Sequence, residues 1–93
     1  MKHYIIIRTE EKAAAPGLAA KAEEIFPRIM SIPGVHSVEV HRSCSDLPNR
    51  FDLMIIIDME PEALPVYDAS EAHQEWKKIC DSQLGYKAIF DCE

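Results

Sequence analysis

Two stretches of the chain are apolar at consecutive positions, where a small antiparallel sheet would ordinarily alternate. Residues 2–8 read KHYIIIR and residues 51–59 read FDLMIIIDM. Both are rich in β-branched and aromatic residues and predict strands. Residues 35–42, VHSVEVHR, alternate: Val38 and Val40 point one way, and Ser37, Glu39 and His41 the other, which predicts a strand with one apolar face. Residues 9–17 are polar and alanine-rich and close on Pro16-Gly17, which reads as loop chemistry. The period then changes. Leu18, Ala22, Ile25, Ile29 and Ile32 fall on one helical stripe, Pro27 should kink or split that helix, and Pro33-Gly34 stops it. SCSDLPNR, residues 43–50, is a polar loop. After the third strand, Glu60-Pro61-Glu62 reads as a helix start, with Pro at the first helical position and acids near the positive end of the dipole. Pro65 keeps that helix short. A further helix follows, capped by Asp68 or Ser70, with Ala72, Trp76, Ile79, Cys80 and Leu84 as its inward stripe and Gly85 at its end. YKAIFD supplies the last strand, and there is no internal repeat.

The order β-α-β-β-α-α-β predicts an α+β fold of ferredoxin-like type over residues 1–93 as a single domain: a four-stranded antiparallel sheet with helices on one face. Parity then sorts the two apolar runs. His3, Ile5 and Ile7 share a face, as do Leu53, Ile55 and Ile57, and these sets suit the helix-covered side. The opposite side holds Tyr4, Ile6, Met54 and Ile56, where an antiparallel sheet is normally wet and polar. No helix remains to cover it. A second copy placing its sheet against this one, as a two-fold homodimer, is the simplest cover. Each such side chain contributes roughly 1.5–3 kcal/mol on full burial. A monomer with an apolar sheet face is the competing expectation.

Composition narrows the partners. The net charge is -6, from 16 acidic and 10 basic residues, which argues against nucleic acid and anionic membrane as electrostatic partners. Cys44, Cys80 and Cys92 are odd in number and form no CxxC pair, which fits free thiols and a cytoplasmic location. No apolar stretch approaches the roughly 20 residues of a membrane helix, and the N-terminal run is too short for a signal peptide. Three glycines, none clustered, exclude a phosphate-cradling loop, and no GxSxG sets up a serine nucleophile. No cofactor is expected.

Four histidines carry the candidate chemistry. His36 and His41 lie an odd number of positions apart on one strand, face opposite sides, and cannot share a metal. Asp58, Glu60 and Glu62 gather near a strand end, a pattern that serves helix starts more often than ions; a divalent cation at a dimer seam would draw on such hard ligands. His3 shares the helix side with Ile5 and Ile7. His73 lies one turn before Trp76 and Lys77, and Tyr67 precedes it on the short helix. These three are expected to converge between sheet and helices, with Ile5, Ile7, Leu53, Ile55 and Trp76 as the apolar lining for a small hydrophobic ligand. Imidazole titrates near neutrality and serves as acid or base, and a buried phenol can bind a carbonyl or enolate oxygen. A structural role for the trio, or a filled interior, accounts for the same residues. Roughly 300 Å³ of cavity beside His73 separates ligand binding from a filled core.

The ordered set KHYIII, IPGVHSVEV, FDLMIIIDM, YDASEAHQEW and IFDCE resembles the stress-responsive A/B-barrel domain, a branch of the dimeric α+β-barrel superfamily, over almost the whole chain. The resemblance implies a homodimer whose two sheets form a barrel. Many members have no assigned reaction; plant members similar to polyketide cyclases close linear polyketides by aldol chemistry without a cofactor. By that resemblance their first-strand histidine, helical tyrosine and helical histidine fall on His3, Tyr67 and His73, while a histidine expected on the third strand falls on Leu53. A cofactor-free cyclase, lyase or oxygenase with His73 as base is therefore the enzymatic alternative to a binding protein. Haem-degrading relatives pair a helical histidine with a tryptophan well before it; here Trp76 follows His73.

Overall fold

A computed structural model describes residues 1–93. The elements are β1 (Lys2–Thr9), α1 (Ala15–Ile25), β2 (Val35–Arg42), β3 (Leu53–Met59), α2 (Ala63–Asp68), α3 (Glu71–Asp81) and β4 (Leu84–Cys92), with 3₁₀ turns at Lys12–Ala14 and Phe26–Ser31. The strands form one antiparallel sheet in the order β2-β3-β1-β4. This is the expected ferredoxin-like α+β arrangement, with β2 and β4 as edges and the two apolar runs paired at the centre, Ile5 opposite Ile55.

The face assignment by parity holds. His3, Ile5, Ile7 and Thr9 are buried along β1, and Leu53, Ile55, Ile57 and Met59 along β3. The aliphatic residues and Met59 among them join Leu18, Ala22, Ile25, Phe26 and Ile29 from the first helical segment, and Tyr67, Trp76 and Cys80 from α2 and α3, in one core of 18 residues. On the other side Tyr4, Ile6, Arg8, Met54, Ile56 and Asp58 are half-buried, and Phe90 is 63% exposed.

Pro27 splits the first helix as expected: α1 ends at Ile25 and the backbone tightens into the 3₁₀ turn that follows. Element boundaries differ from the sequence reading at three proline or glycine sites in particular: Pro16-Gly17, Pro61 and Gly85. Pro16-Gly17 is not a loop but the first turn of α1, where the N–H that proline lacks has no helical partner anyway. Pro61 is not the first residue of α2; Ala63 N–H donates to the Glu60 carbonyl at 2.9 Å, and Pro61 sits in the turn so formed. Gly85 does not end α3. The helix stops at Asp81, Leu84 opens β4, and Gly85 lies in the strand where a Cβ would come within 3.1 Å of the Arg8 carbonyl oxygen and the Glu10 nitrogen. The β1–β4 register shifts at that point, so the missing side chain permits a bulge. His36 likewise sits in a register irregularity between Val35 and Ser37, which takes it out of strict alternation with His41. Both imidazoles are exposed and contact glutamates, Glu60 and Glu39 respectively.

Asp52 ties the sheet to the first helical turn. Its carboxylate accepts from Thr9 N–H at 2.8 Å, from the Thr9 hydroxyl at 3.0 Å and from Lys12 Nζ. Burial alone would raise its pKa; the bonds from Lys12 and Thr9 outweigh that and hold it below the ordinary value. No helix is long and apolar enough to cross a membrane.

Candidate functional site

A cleft of about 270 Å³ opens between the β1–β4 half of the sheet and helices α2 and α3. Its polar lining includes His3, Tyr67 and His73, and its apolar lining Ile5, Leu64, Trp76 and Ile89. The volume lies just under the roughly 300 Å³ at which small-molecule sites begin.

Each polar group is positioned by local chemistry. Ser70 caps α3: its hydroxyl oxygen accepts from His73 N–H at 3.2 Å and donates to the Tyr67 carbonyl at 2.7 Å. One side chain thus fixes the end of α2 against the start of α3, and with it the spacing of Tyr67 and His73. Their ring centroids lie 4.7 Å apart. His73 Nδ1–H donates to the Asp68 carbonyl oxygen at 2.8 Å. A carbonyl only accepts, so in the neutral ring Nδ1 carries the proton and Nε2 keeps its lone pair. Gln74 Nε2 donates to the same carbonyl at 3.0 Å. On the sheet, His3 stands edge-on to Tyr67 with centroids 5.8 Å apart, and its Nδ1 bonds the Asp91 carboxylate at 2.5 Å across the β1–β4 pair. His3 therefore also presents Nε2 as its free nitrogen.

Tyr67 lies between the two imidazoles, is 1% exposed, and its hydroxyl finds no hydrogen-bond partner among the protein's atoms. Burial pushes its pKa up, and the nearby Asp68 carboxylate adds to the rise. The phenol stays protonated and remains a hydrogen-bond donor without an acceptor. Cys80, one turn beyond Trp76, also lines the cleft. Burial pushes its thiol up to about 11; Lys87 lowers the value, Asp81 raises it, and the group is protonated at neutral pH. No three His, Cys, Asp or Glu side chains come together as a metal-binding group.

Of the residues singled out from sequence, the structure brings together His3, Tyr67, His73, Ile5 and Trp76 around this cleft. It does not bring Ile7, Leu53 and Ile55 there. Ile7 and Ile55 have no exposed surface and Leu53 only 3%, because α1 and its 3₁₀ extension seal the centre of the sheet. Trp76 serves the core as well as the cleft, packing edge-on against Phe26 at 5.1 Å. Asp91, the Asp68 carbonyl, Leu64, Cys80, Lys87 and Ile89 were not foreseen. The stripe Ala72-Trp76-Cys80 carried a signal for Cys80, whereas Asp91 meets His3 only through the strand register.

Comparison with solved structures identifies the fold. A dimeric protein of unknown function and ferredoxin-like fold from Bacteroides fragilis superposes with a TM-score of 0.82 at 13% identity, covering 99% of this chain and 93% of that one. The fold they share is ferredoxin-like. A DABB family protein with a ferredoxin-like fold from Mesorhizobium loti aligns over 99% of this chain and 93% of its own, at 13% identity and a TM-score of 0.73. An antibiotic biosynthesis monooxygenase aligns over 100% and 99%, at 13% identity and a TM-score of 0.70. No protein-family model matches the chain, and no curated protein matches it by sequence. At these identities the likeness speaks for the ferredoxin-like fold alone, and function must be argued from the cleft.

Proposed function

We propose that this A/B-barrel chain is a homodimeric small-molecule binding protein whose cleft takes a compact, mostly apolar ligand carrying an acceptor oxygen, such as a ketone or an enol. The observation that carries this reading is the Tyr67 hydroxyl, buried, protonated and without a partner, on a residue that lines the cleft together with Ile5, Leu64 and Trp76. A buried donor with nothing to bind costs about 1–3 kcal/mol, which a ligand oxygen would recover. Self-association is supported by the half-buried aliphatic face of β1 and β3 and by the dimeric state of the Bacteroides fragilis structure of this fold. The three unpaired cysteines fit a reducing, cytoplasmic setting.

The sole tryptophan lines the cleft, so its fluorescence reports occupancy. Titration with the β-diketone acetylacetone is expected to quench Trp76. Tyr67→Phe should weaken binding about five-fold, the equivalent of one hydrogen bond of about 1 kcal/mol. Unchanged affinity in that variant would remove the basis of the ligand assignment. Sedimentation at micromolar concentration tests the dimer, and a lone protomer would refute it.

A second reading rests on the two imidazoles. Both Nδ1 atoms are engaged, by the Asp68 carbonyl and the Asp91 carboxylate, so both Nε2 atoms are available to take a proton. With Tyr67 donating to the oxygen, His73 would remove the proton α to a ligand carbonyl and pass it on, without a cofactor, as in a cyclase, lyase or oxygenase. Deuterium exchange at the central carbon of the diketone, above the buffer rate and lost in His73→Ala, is the expected outcome. Exchange at the buffer rate leaves the binding reading alone standing.

A further inference from the structure

The open face of the sheet carries a charge pattern as well as an apolar centre. Arg8 extends the line of Tyr4 and Ile6 on β1. Its guanidinium carbon stands 5.1 Å above the Phe51 ring, and Phe51 meets Tyr86, the cross-strand neighbour of Arg8, edge-on at 5.9 Å. The stacking immobilises the guanidinium, yet its Nε is buried and has no hydrogen-bond partner. A planar, permanently charged fork held in place with a desolvated N–H calls for an acceptor from outside the protomer.

The strand positions of this face hold two carboxylates, Glu39 and Asp58. Glu39 is exposed and contacts His41 at 3.1 Å. Asp58 is half-buried and takes part in none of the protomer's ion pairs, although Lys2 stands opposite it on β1. Arg8 lies six residues along β1 from Lys2, so Arg8 and Asp58 occupy opposite ends of the face, roughly 20 Å apart. They cannot meet within one chain.

Resting on the homodimer proposed above, we infer that Arg8 of one protomer pairs with Asp58 of its partner, twice by symmetry, so that the two β1 strands run antiparallel across the seam. In a two-fold interface, if residue i touches residue j then j touches i, and both unpaired charges are neutralised by one arrangement. The opposite placement, with the β1 strands running the same way, would bring the two Arg8 ends together with no acid between them. Buried charges are tolerated in an interface when paired and heavily penalised when not. The ion pair thus fixes the register that the aliphatic centre alone leaves open.

Charge reversal decides the matter. Arg8→Asp and Asp58→Arg are each expected to raise the dimer dissociation constant at least ten-fold by analytical ultracentrifugation, while circular dichroism shows each variant folded. Mixing the two single variants is the critical measurement. In a heterodimer of these two, Asp at position 8 faces Arg at position 58, and the native Arg8 faces the native Asp58, so both pairs return. Recovery of dimer to within about three-fold of wild type in the mixture, and in the doubly reversed chain, is the expected result. A wild-type dimer with no recovery in the mixture, or with either single reversal harmless, overturns the pairing but not self-association. A monomeric wild type overturns both. If a reversal prevents folding, Arg8→Gln and Asp58→Asn replace it; each alone should weaken the dimer, and their combination should cost no more than either one. Additive losses would overturn the pairing.

Discussion

Replacing Tyr67 by Phe isolates the chemistry of the cleft from its shape. The substitution removes one oxygen and leaves the ring between His3 and His73, with its centroid distances of 5.8 and 4.7 Å. In most proteins the loss of a buried tyrosine hydroxyl destabilises, because the partner left behind goes unsatisfied. Here no protein atom loses a partner. Returning the hydroxyl from water to an unsatisfied buried site costs about 1–3 kcal/mol on the scale of protein mutations. Taking the low end, the ligand-free variant should be about 1 kcal/mol more stable than wild type. For a chain of this length that is a rise of roughly 4–8 °C in melting temperature. The same substitution should weaken acetylacetone binding, so stability and affinity move in opposite directions. Calorimetry on ligand-free protein and Trp76 fluorescence read the two effects separately. A Tyr67→Phe variant melting clearly below wild type would refute the reasoning, since the hydroxyl would then be a satisfied structural group rather than a donor held for a ligand.

Other outcomes follow from the same coordinates. Asp52→Asn should cost about 2–4 kcal/mol in urea unfolding, because a buried, fully bonded carboxylate loses its charge-assisted contacts to Lys12 and Thr9. The Asp52 pKa is lowered on folding, so its contribution is present above the unfolded value of about 3.9 and is lost as pH falls through the folded one; the variant should show a flatter acid limb. Cys80 runs the other way. Its folded pKa of about 11 exceeds the ordinary 9.0, so the unfolded thiol ionises first, and stability should decline as pH climbs from 9.0 towards 11, a slope that Cys80→Ala removes. Iodoacetamide at about pH 7.5, below the ordinary thiol pKa, should modify exposed Cys44 well before buried Cys80; equal rates would contradict the packing of α3. Long-range proton–nitrogen spectra should show neutral His73 protonated at Nδ1, and an Nε2–H tautomer would rule out Nε2 as the base.

What the sequence by itself determined is whatever has a short period. Alternation placed His3, Ile5 and Ile7 on the covered side of β1 and Leu53, Ile55 and Ile57 on that of β3, and the 3.6-residue stripe aimed Trp76 and Cys80 inwards. Both patterns are local, because they follow from where successive Cβ atoms point. Proline obeyed the same logic at Pro27, where the lost donor ended the helix, but misled at Pro16, since the first turn of a helix has no use for that donor. Tertiary structure alone decided which buried residues form a core and which line a cleft. Ile5 and Ile7 are identical in type and face, yet only Ile5 borders the cleft; α1 and its 3₁₀ extension seal the sheet centre, leaving open the end beneath α2 and α3. The same holds for Asp91 beside His3, which are 88 residues apart. Their meeting depends on β4 pairing with β1 in one register, and a slip of one residue would turn Asp91 to the other face. Register is set by the whole sheet closing over its core, so no short window of sequence contains it.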